Sequence, residues 1–167
     1  MHSRIFQLSK YPIKAEEYFD ESRYYDGEHS WFVGGIADYT SDDNADREDD
    51  IEWFKNGYKH CFEFSDDSFK IISKKKYFEG RYPVFQQAVE TLQKITEDEF
   101  CGKNYQNEYF LYNVENSYTD KFAFYVDIDD TEKSEGYDEF FGPLDDFVRN
   151  AEEGETYYFG NTIDYHY

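Results

Sequence analysis

The chain has 167 residues and a formal net charge of −21, from 38 acidic and 17 basic residues, together with 18 Tyr, 17 Phe and 2 Trp. Disordered acidic segments are poor in aromatic residues, so this composition excludes an acidic tail and indicates a single acidic globular domain over residues 1–167. The charge also makes nucleic acid and anionic membranes poor direct partners, because both would repel the protein.

The amino-terminal half predicts short, separate elements. The Gly34-Gly35 pair weakens a helix over residues 30–39, whose structure the pattern leaves open. Residues 43–57 predict a helix that ends near Gly57, because glycine is common just past a helix C-terminus. The other elements expected here are a first strand, Arg4–Ser9, a short helix, 14–19, and a hairpin of two strands, Tyr58–Phe64 and Ser68–Ser73.

The clearest helical pattern lies in the middle of the chain. Apolar residues spaced i, i+3, i+4 and i+7 predict one longer helix over about 83–95. These residues are Phe85, Ala88, Val89 and Leu92. The sequence from Thr96 to Glu99 then matches a capping box, which predicts another short helical turn.

The carboxyl-terminal half predicts more strands. Lys121–Ile128 alternates apolar and polar residues, and Tyr109–Val114 is expected to pair with it through a turn at 115–120. A helix is predicted over 143–152, followed by a last strand over 157–167. Short helices between hairpins, without regular βαβ units, predict an α+β fold with a mostly antiparallel sheet.

The acidic segments do not match a calcium-binding loop. Such a loop requires Gly at position 6 and a bidentate Glu at position 12. Counted from Asp42, these positions hold Arg47 and Trp53. Counted from Asp127, they hold Glu132 and Asp138. The sequence therefore predicts no specific metal site.

Motifs that would indicate catalysis are also lacking in the sequence. The four histidines are scattered, and neither a phosphate-binding glycine loop nor a GxSxG elbow occurs. The two cysteines have no paired spacing, and the first ten residues lack an apolar signal core, so a reduced, cytoplasmic protein is expected. No catalytic residue and no cofactor are predicted, and a small enzyme or metal-binding module of unknown substrate stays open as an alternative.

The helix predicted over 43–57 combines a core stripe with an acidic face. At 100° per residue, Ile51 and Phe54 fall on one side, and Trp53 falls on the opposite side among the carboxylates. An apolar ring surrounded by charges is typical of a protein-binding surface, because aromatic residues anchor interfaces while charges steer the encounter. The alternative is that Trp53 packs under another segment, for example Trp31–Phe32, so that both faces of the helix are partly covered.

A second acidic segment is expected to lie beside this helix and to extend its acidic surface. The residues predicted to bind a partner are Asp42, Asp43, Asp46, Glu48, Asp49, Asp50, Glu52 and Trp53 in the first segment, and Asp127, Asp129, Asp130, Glu132, Glu135, Asp138 and Glu139 in the second.

These features predict a non-enzymatic protein that imitates nucleic acid. It would block the DNA- or RNA-binding surface of a basic protein, as antagonists of restriction or CRISPR nucleases do. Carboxylates every helical turn lie about 5–6 Å apart, which approaches the spacing of phosphates along a nucleic acid strand. An immunity protein that neutralises one basic toxin is the alternative, and the aromatic strands leave room for a homodimer.

Overall fold

The computed structural model describes residues 1–27, 29–102, 105–134 and 139–167. Contacts divide the chain into two compact units. Unit 1 comprises Met1–Tyr77 and Phe122–Tyr167, and unit 2 comprises Phe78–Lys121. The predicted α+β class is confirmed, while the assignment of the chain to one domain stays a prediction.

Strands and helices are numbered here in chain order. The strands are β1, His2–Ser9; β2, Tyr39–Ser41; β3, Phe62–Phe64; β4, Ser68–Ile71; β5, Tyr125–Asp129; β6, Glu139–Pro143; and β7, Thr156–His166. The helices are α1, Arg47–Tyr58; α2, Lys74–Tyr77; α3, Arg81–Leu92; α4, Glu97–Cys101; α5, Tyr105–Tyr118; and α6, Leu144–Asn150. Two 3₁₀ helices, Ala15–Glu17 and Glu21–Tyr24, lie between β1 and β2.

Unit 1 is built on a mixed sheet with the strand order β3–β4–β7–β1–β5–β6, in which β2 also pairs with β7. Within the described residues, β1 and β5 are parallel and the other pairs are antiparallel. The first and last strands of the chain, β1 and β7, pair from His2–His166 to Ser9–Tyr158. The sheet is therefore mostly antiparallel, as predicted, and both chain ends lie in its middle.

The sheet has two buried faces. On the helix face, Phe54 of α1 lies 4.9 Å from Phe6 and 5.4 Å from both Phe69 and Phe159, measured between ring centroids. On the opposite face, which we call the loop face, residues between β1 and β2 pack against the sheet. This second cluster contains Ile5, Tyr24, Phe32, Ala37, Tyr125, Ile163 and Tyr165.

Several predicted elements are observed with small shifts. The helix expected at 43–57 is α1, which begins after the N-cap residue Asp46 and ends at Tyr58, near Gly57 as predicted, although Gly57 lies inside its last turn. The other correspondences are β1, α3, α6 and β7, together with the β3–β4 hairpin and the capping box before α4.

The predicted strand Tyr109–Val114 is wrong, because these residues belong to α5. Tyr109–Val114 is a short, nearly continuous apolar run, and periodicity alone does not distinguish such a run in a strand from one in a helix. In unit 2, α3 and α5 pack together, with Phe85 and Tyr118 at 5.8 Å between ring centroids. No helix in the described part of the chain is long and apolar enough to cross a membrane.

The central position of Phe54 leads to a stability prediction. The Phe54→Ala variant should lose about 3–5 kcal/mol of unfolding free energy, because a fully buried ring leaves a cavity that its neighbours fill only in part. The measurement is urea unfolding followed by circular dichroism. The control is Asn56→Ala on the exposed side of the same helix, which should change the free energy by less than about 0.5 kcal/mol. Equal losses in the two variants would contradict this account of the core.

Candidate functional site

The outward side of α1 carries most of the carboxylates predicted for the first segment. Asp46 caps the helix by accepting hydrogen bonds from the backbone N–H groups of Glu48 and Asp49, at 3.1 and 3.2 Å. Acidic residues are favourable at this end, because the helix dipole places partial positive charge there. The exposed members, which we call the α1 acidic face, are Asp43, Asp46, Glu48, Asp49 and Glu52.

Asp50 does not belong to this face, contrary to the sequence prediction. Its side chain accepts hydrogen bonds from Arg4 Nε at 2.7 Å and from Thr162 Oγ1 at 2.9 Å, and the residue is 5% exposed. The reason is helical position, since Asp50 precedes Ile51 and Phe54 on the side that packs against β7. Its carboxylate joins α1 to the sheet.

Asp42 is partly buried and contacts Glu21. Its carboxylate accepts the backbone N–H of Glu21 at 3.2 Å, and its own N–H donates to the Glu21 carboxylate at 3.1 Å. Burial, followed by the negative charge of Glu21, raises the pKa of Asp42 above its usual value. Asp42 therefore contributes to the connection between two loops rather than to the α1 acidic face.

The second acidic segment is divided between buried and exposed residues. Asp127 and Asp130 are 0% and 1% exposed, so the prediction that they face a partner is wrong. Asp130 accepts hydrogen bonds from Ser9 Oγ and from the backbone N–H of Lys10, which fix the end of β1. The residues of this segment that are exposed are Asp129, Glu132 and Glu139. Glu135 and Asp138 lie outside the described residues.

Asp127 lies at the centre of a buried polar cluster that sequence reasoning missed. Arg23 donates to both carboxylate oxygens, at 2.8 and 3.2 Å, and the Tyr24 hydroxyl donates at 2.9 Å. The His29 ring nitrogen Nε2 lies 3.6 Å from Asp127 Oδ1. The spacing of residues along the sequence could not reveal this cluster, because Asp127 comes from β5 and its partners come from residues 23–29, about a hundred residues earlier.

The cluster has the chemistry of a structural support. Burial, followed by the charge of Asp127, raises the pKa of the Tyr24 hydroxyl well above its usual value, so Tyr24 stays protonated and donates its hydrogen bond.

Burial likewise raises the pKa of Cys61 to about 11, which makes this thiol a poor nucleophile at neutral pH. The described residues contain no group of three or more His, Cys, Asp or Glu side chains that could hold a metal ion.

The two acidic segments lie on opposite faces of the sheet. α1 covers the helix face, where Asp50 meets Thr162 of β7. Asp127 and Asp129 point to the loop face, where Arg23 contacts both. Among the described residues, the structure therefore does not bring Asp127 and Asp129 to the side of the sheet that α1 covers.

Trp53 adjoins the α1 acidic face and is 51% exposed. Its ring meets Phe124 edge to face, with the centroids 4.6 Å apart. Trp53 is thus partly covered by another segment, but that segment is not Trp31–Phe32, since Trp31 lies on the loop face and contacts Phe141 at 5.6 Å.

Beside Trp53 the surface forms an open groove of about 420 Å³. Its lining is mainly aromatic and comes from α1 and from one end of the sheet, where β1 and β5 begin and β7 ends. The lining residues are His2, Ser3, Trp53, Gly57, Tyr58, Phe122, Ala123, Phe124 and Tyr167. The candidate site is thus an acidic helix face next to an aromatic groove. Comparison of the chain with protein-family models, with curated proteins and with solved structures finds no match.

The contrast between buried and exposed carboxylates can be tested on one strand. The Asp127→Asn variant should lose about 2–4 kcal/mol of unfolding free energy, because it leaves the guanidinium of Arg23 without its buried anionic partner. The matched variant Asp129→Asn should lose less than about 1 kcal/mol, because that carboxylate is a third exposed. Denaturant titration measures both. A loss at Asp129 as large as that at Asp127 would contradict a structural role specific to Asp127.

Proposed function

We propose that the protein is a non-enzymatic acidic inhibitor that occupies the nucleic-acid-binding surface of a basic protein. The observation that carries the proposal is the α1 acidic face, whose carboxylates point outward beside a half-exposed tryptophan. Buried carboxylates such as Asp50 and Asp127 have structural partners inside unit 1. The exposed ones are available to meet cations of a partner.

The spacing on α1 supports imitation of a single nucleic acid strand. Glu48 and Glu52 are four residues apart, which places neighbouring carboxylates about 5–6 Å from each other along the helix. DNA presents one phosphate per about 3.4 Å of axis on each strand. Because the second acidic segment faces the other way, one row of charges would be presented rather than two. The proposed targets are enzymes with a basic groove, of the restriction or CRISPR nuclease type.

Trp53 would add contact energy and selectivity to this electrostatic attraction. Exposed charges mainly raise the association rate, and they are weakened by salt. A tryptophan at the centre of an interface can instead supply a large share of the affinity. The groove beside Trp53 offers space for a side chain of the partner.

An immunity protein that neutralises one basic toxin is the second candidate. The aromatic groove favours it, because a shaped apolar site discriminates between partners more sharply than a row of charges does. Capture from a lysate at low salt, with elution by rising salt, separates the two. Several basic nucleic-acid enzymes displaced by competing duplex DNA support the inhibitor, whereas one toxin that DNA fails to displace supports immunity. A homodimer is compatible with either role and would present two α1 acidic faces.

The carboxylates of the α1 acidic face provide the first binding test. The triple variant Glu48→Gln, Asp49→Asn and Glu52→Gln should bind the captured protein about tenfold or more weakly, because it removes three charges that meet partner cations. Its affinity should also depend less on salt. Affinity is measured by titration calorimetry at several salt concentrations, and circular dichroism should be unchanged because these side chains are exposed.

A matched charge control removes three exposed acids from unit 2. The variant Glu90→Gln, Glu97→Gln and Asp98→Asn has the same net charge as the α1 variant. It should keep its affinity within about threefold, because long-range charge alone is largely screened at physiological salt. If both variants weaken binding equally, net charge rather than the α1 acidic face is responsible.

The two tryptophans provide the second binding test, since both are half-exposed and they lie on opposite faces of the sheet. Trp53→Ala should weaken binding by about thirtyfold or more, which corresponds to the roughly 2 kcal/mol of an interface hot spot. Trp31→Ala, at 53% exposure against 51% for Trp53, should change affinity by less than about threefold. The measurement is the same calorimetric titration. Equal effects of the two substitutions would overturn the assignment of Trp53 to the interface.

A further inference from the structure

The groove beside Trp53 is lined entirely by residues of unit 1. The second half of α1 contributes Trp53, Gly57 and Tyr58. A stacked pair, Phe122 and Tyr167, contributes two more rings, whose centroids lie 4.8 Å apart. Aromatic rings therefore form most of the surface that a side chain entering the groove would contact.

Gly57 leaves the Trp53 ring accessible from one side. The two residues are spaced i and i+4, so they lie on the same side of α1. A Cβ at position 57 would meet no atom within 4 Å apart from its chain neighbours and the backbone of α1. Side chains of a helix point toward its N-terminus, so a large residue at this position would cover the Trp53 ring. The glycine thus keeps open the space beside the ring.

The charge around the groove is negative. Asp49, a member of the α1 acidic face, lies one turn before Trp53, and side chains so spaced have their Cβ atoms about 5–6 Å apart. The C-terminal half of α1 also borders the groove, and the helix dipole places partial negative charge at that end. Among the described residues, no Lys or Arg side chain lines the groove, and His2 lies 2.8 Å from the Asp164 carboxylate. These charges favour a cation as the ligand.

A guanidinium satisfies both the aromatic and the electrostatic character of the groove. Cations are attracted to the faces of aromatic rings, and most strongly to that of tryptophan. The guanidinium group is planar and less strongly hydrated than an ammonium, so it stacks on a ring at a smaller desolvation cost. Its N–H groups can at the same time donate to a carboxylate. An apolar side chain would gain nothing from Asp49.

The same arrangement of ring, guanidinium and carboxylate occurs inside unit 1. The Cζ atom of Arg23 lies 4.1 Å from the centroid of the Phe19 ring. The N–H groups of Arg23 donate to Asp127 and Asp129. An aromatic face with carboxylates beside it therefore holds an arginine of the chain itself.

We propose that the groove beside Trp53 binds an arginine side chain of the basic partner, with the guanidinium stacked on the Trp53 ring and the stem crossing Gly57. Asp49 supplies the negative charge. The groove volume of about 420 Å³ lies within the range of ligand-binding clefts, so residues that flank the arginine also have room. The identity of the partner rests on the proposed function, whereas the preference of the groove for arginine is tested without that partner.

The first experiment measures the binding of short peptides to the full chain. The probe is a lysine-rich peptide with a single central arginine, and two matched peptides carry lysine or citrulline at that position. Lysine keeps the charge without the planar group, and citrulline keeps the planar group without the charge. The emission of Trp53 in a Trp31→Phe background reports binding. The arginine peptide should bind at least about fivefold more tightly than either matched peptide. Equal affinity for the arginine peptide and either matched peptide overturns the proposal.

Two substitutions at Gly57 test whether the groove is the binding site. Gly57→Ala leaves it open, and Gly57→Leu fills it, while both replace a helical glycine by a residue that favours the helix. The preference for the arginine peptide over the lysine peptide should disappear in Gly57→Leu and stay within about twofold of its original value in Gly57→Ala. A preference that persists in Gly57→Leu overturns the proposal.

A second variant keeps the proposal testable if Gly57→Leu disturbs α1, which unfolding followed by circular dichroism would reveal. Trp53→Leu removes the ring but keeps an apolar side chain at a half-exposed position. It should abolish the preference for the arginine peptide, because an aliphatic side chain offers no aromatic face to a cation. Calorimetric titration measures this, and an unchanged preference would contradict stacking on Trp53.

The affinity of the captured partner separates this proposal from the proposed function. Both hold if Gly57→Leu weakens partner binding about tenfold or more and Gly57→Ala leaves it within about twofold. The arginine site alone is overturned if the triple variant of the α1 acidic face weakens partner binding and Gly57→Leu does not. The proposed function alone is overturned if the arginine peptide keeps its preference but DNA displaces no captured protein.

Discussion

The pairing of buried carboxylates with two arginines determines how this acidic chain folds. Arg4 contacts Asp50 and Asp164 on the helix face, and Arg23 contacts Asp127 on the loop face. A buried carboxylate is strongly unfavourable unless a cation and hydrogen-bond donors accompany it. These contacts fix α1 against β7 on one side, and the loop that contains Arg23 against β5 on the other. Asp130 is buried without an arginine, because Ser9 Oγ and the backbone N–H of Lys10 donate hydrogen bonds to it.

The two units differ in the side chains that they expose. In unit 1, Asp50, Asp127 and Asp164 pair with Arg4 or Arg23 and are buried, and the α1 acidic face is directed outward beside Trp53. In unit 2, α3 and α5 carry few charges and expose tyrosines instead.

The sequence was a good guide to elements with one strong periodic signal. The i, i+3, i+4 spacing located α3, and the parity of the aromatic residues located β7. It failed at α5, where the nearly continuous apolar run Tyr109–Val114 resembles a short strand. A helix that is apolar on two sides lacks the polar face on which the helical pattern depends. The parallel pairing of β1 with β5 was also beyond reach, because contacts so distant along the chain leave no local pattern.

At the candidate site, the sequence by itself determined that the protein carries an acidic helix with a core stripe of Ile51 and Phe54, and with Trp53 turned away from it. Local spacing is enough for that conclusion, because the side on which a helical residue lies follows from 100° per residue. Only the tertiary structure decided which carboxylates are available to a partner. Asp50 and Asp127 resemble their exposed neighbours in the sequence, yet both are buried, where they pair with Arg4 and Arg23. Burial of a charge depends on a partner that the fold brings from elsewhere in the chain. The sequence of the acidic segments does not identify that partner.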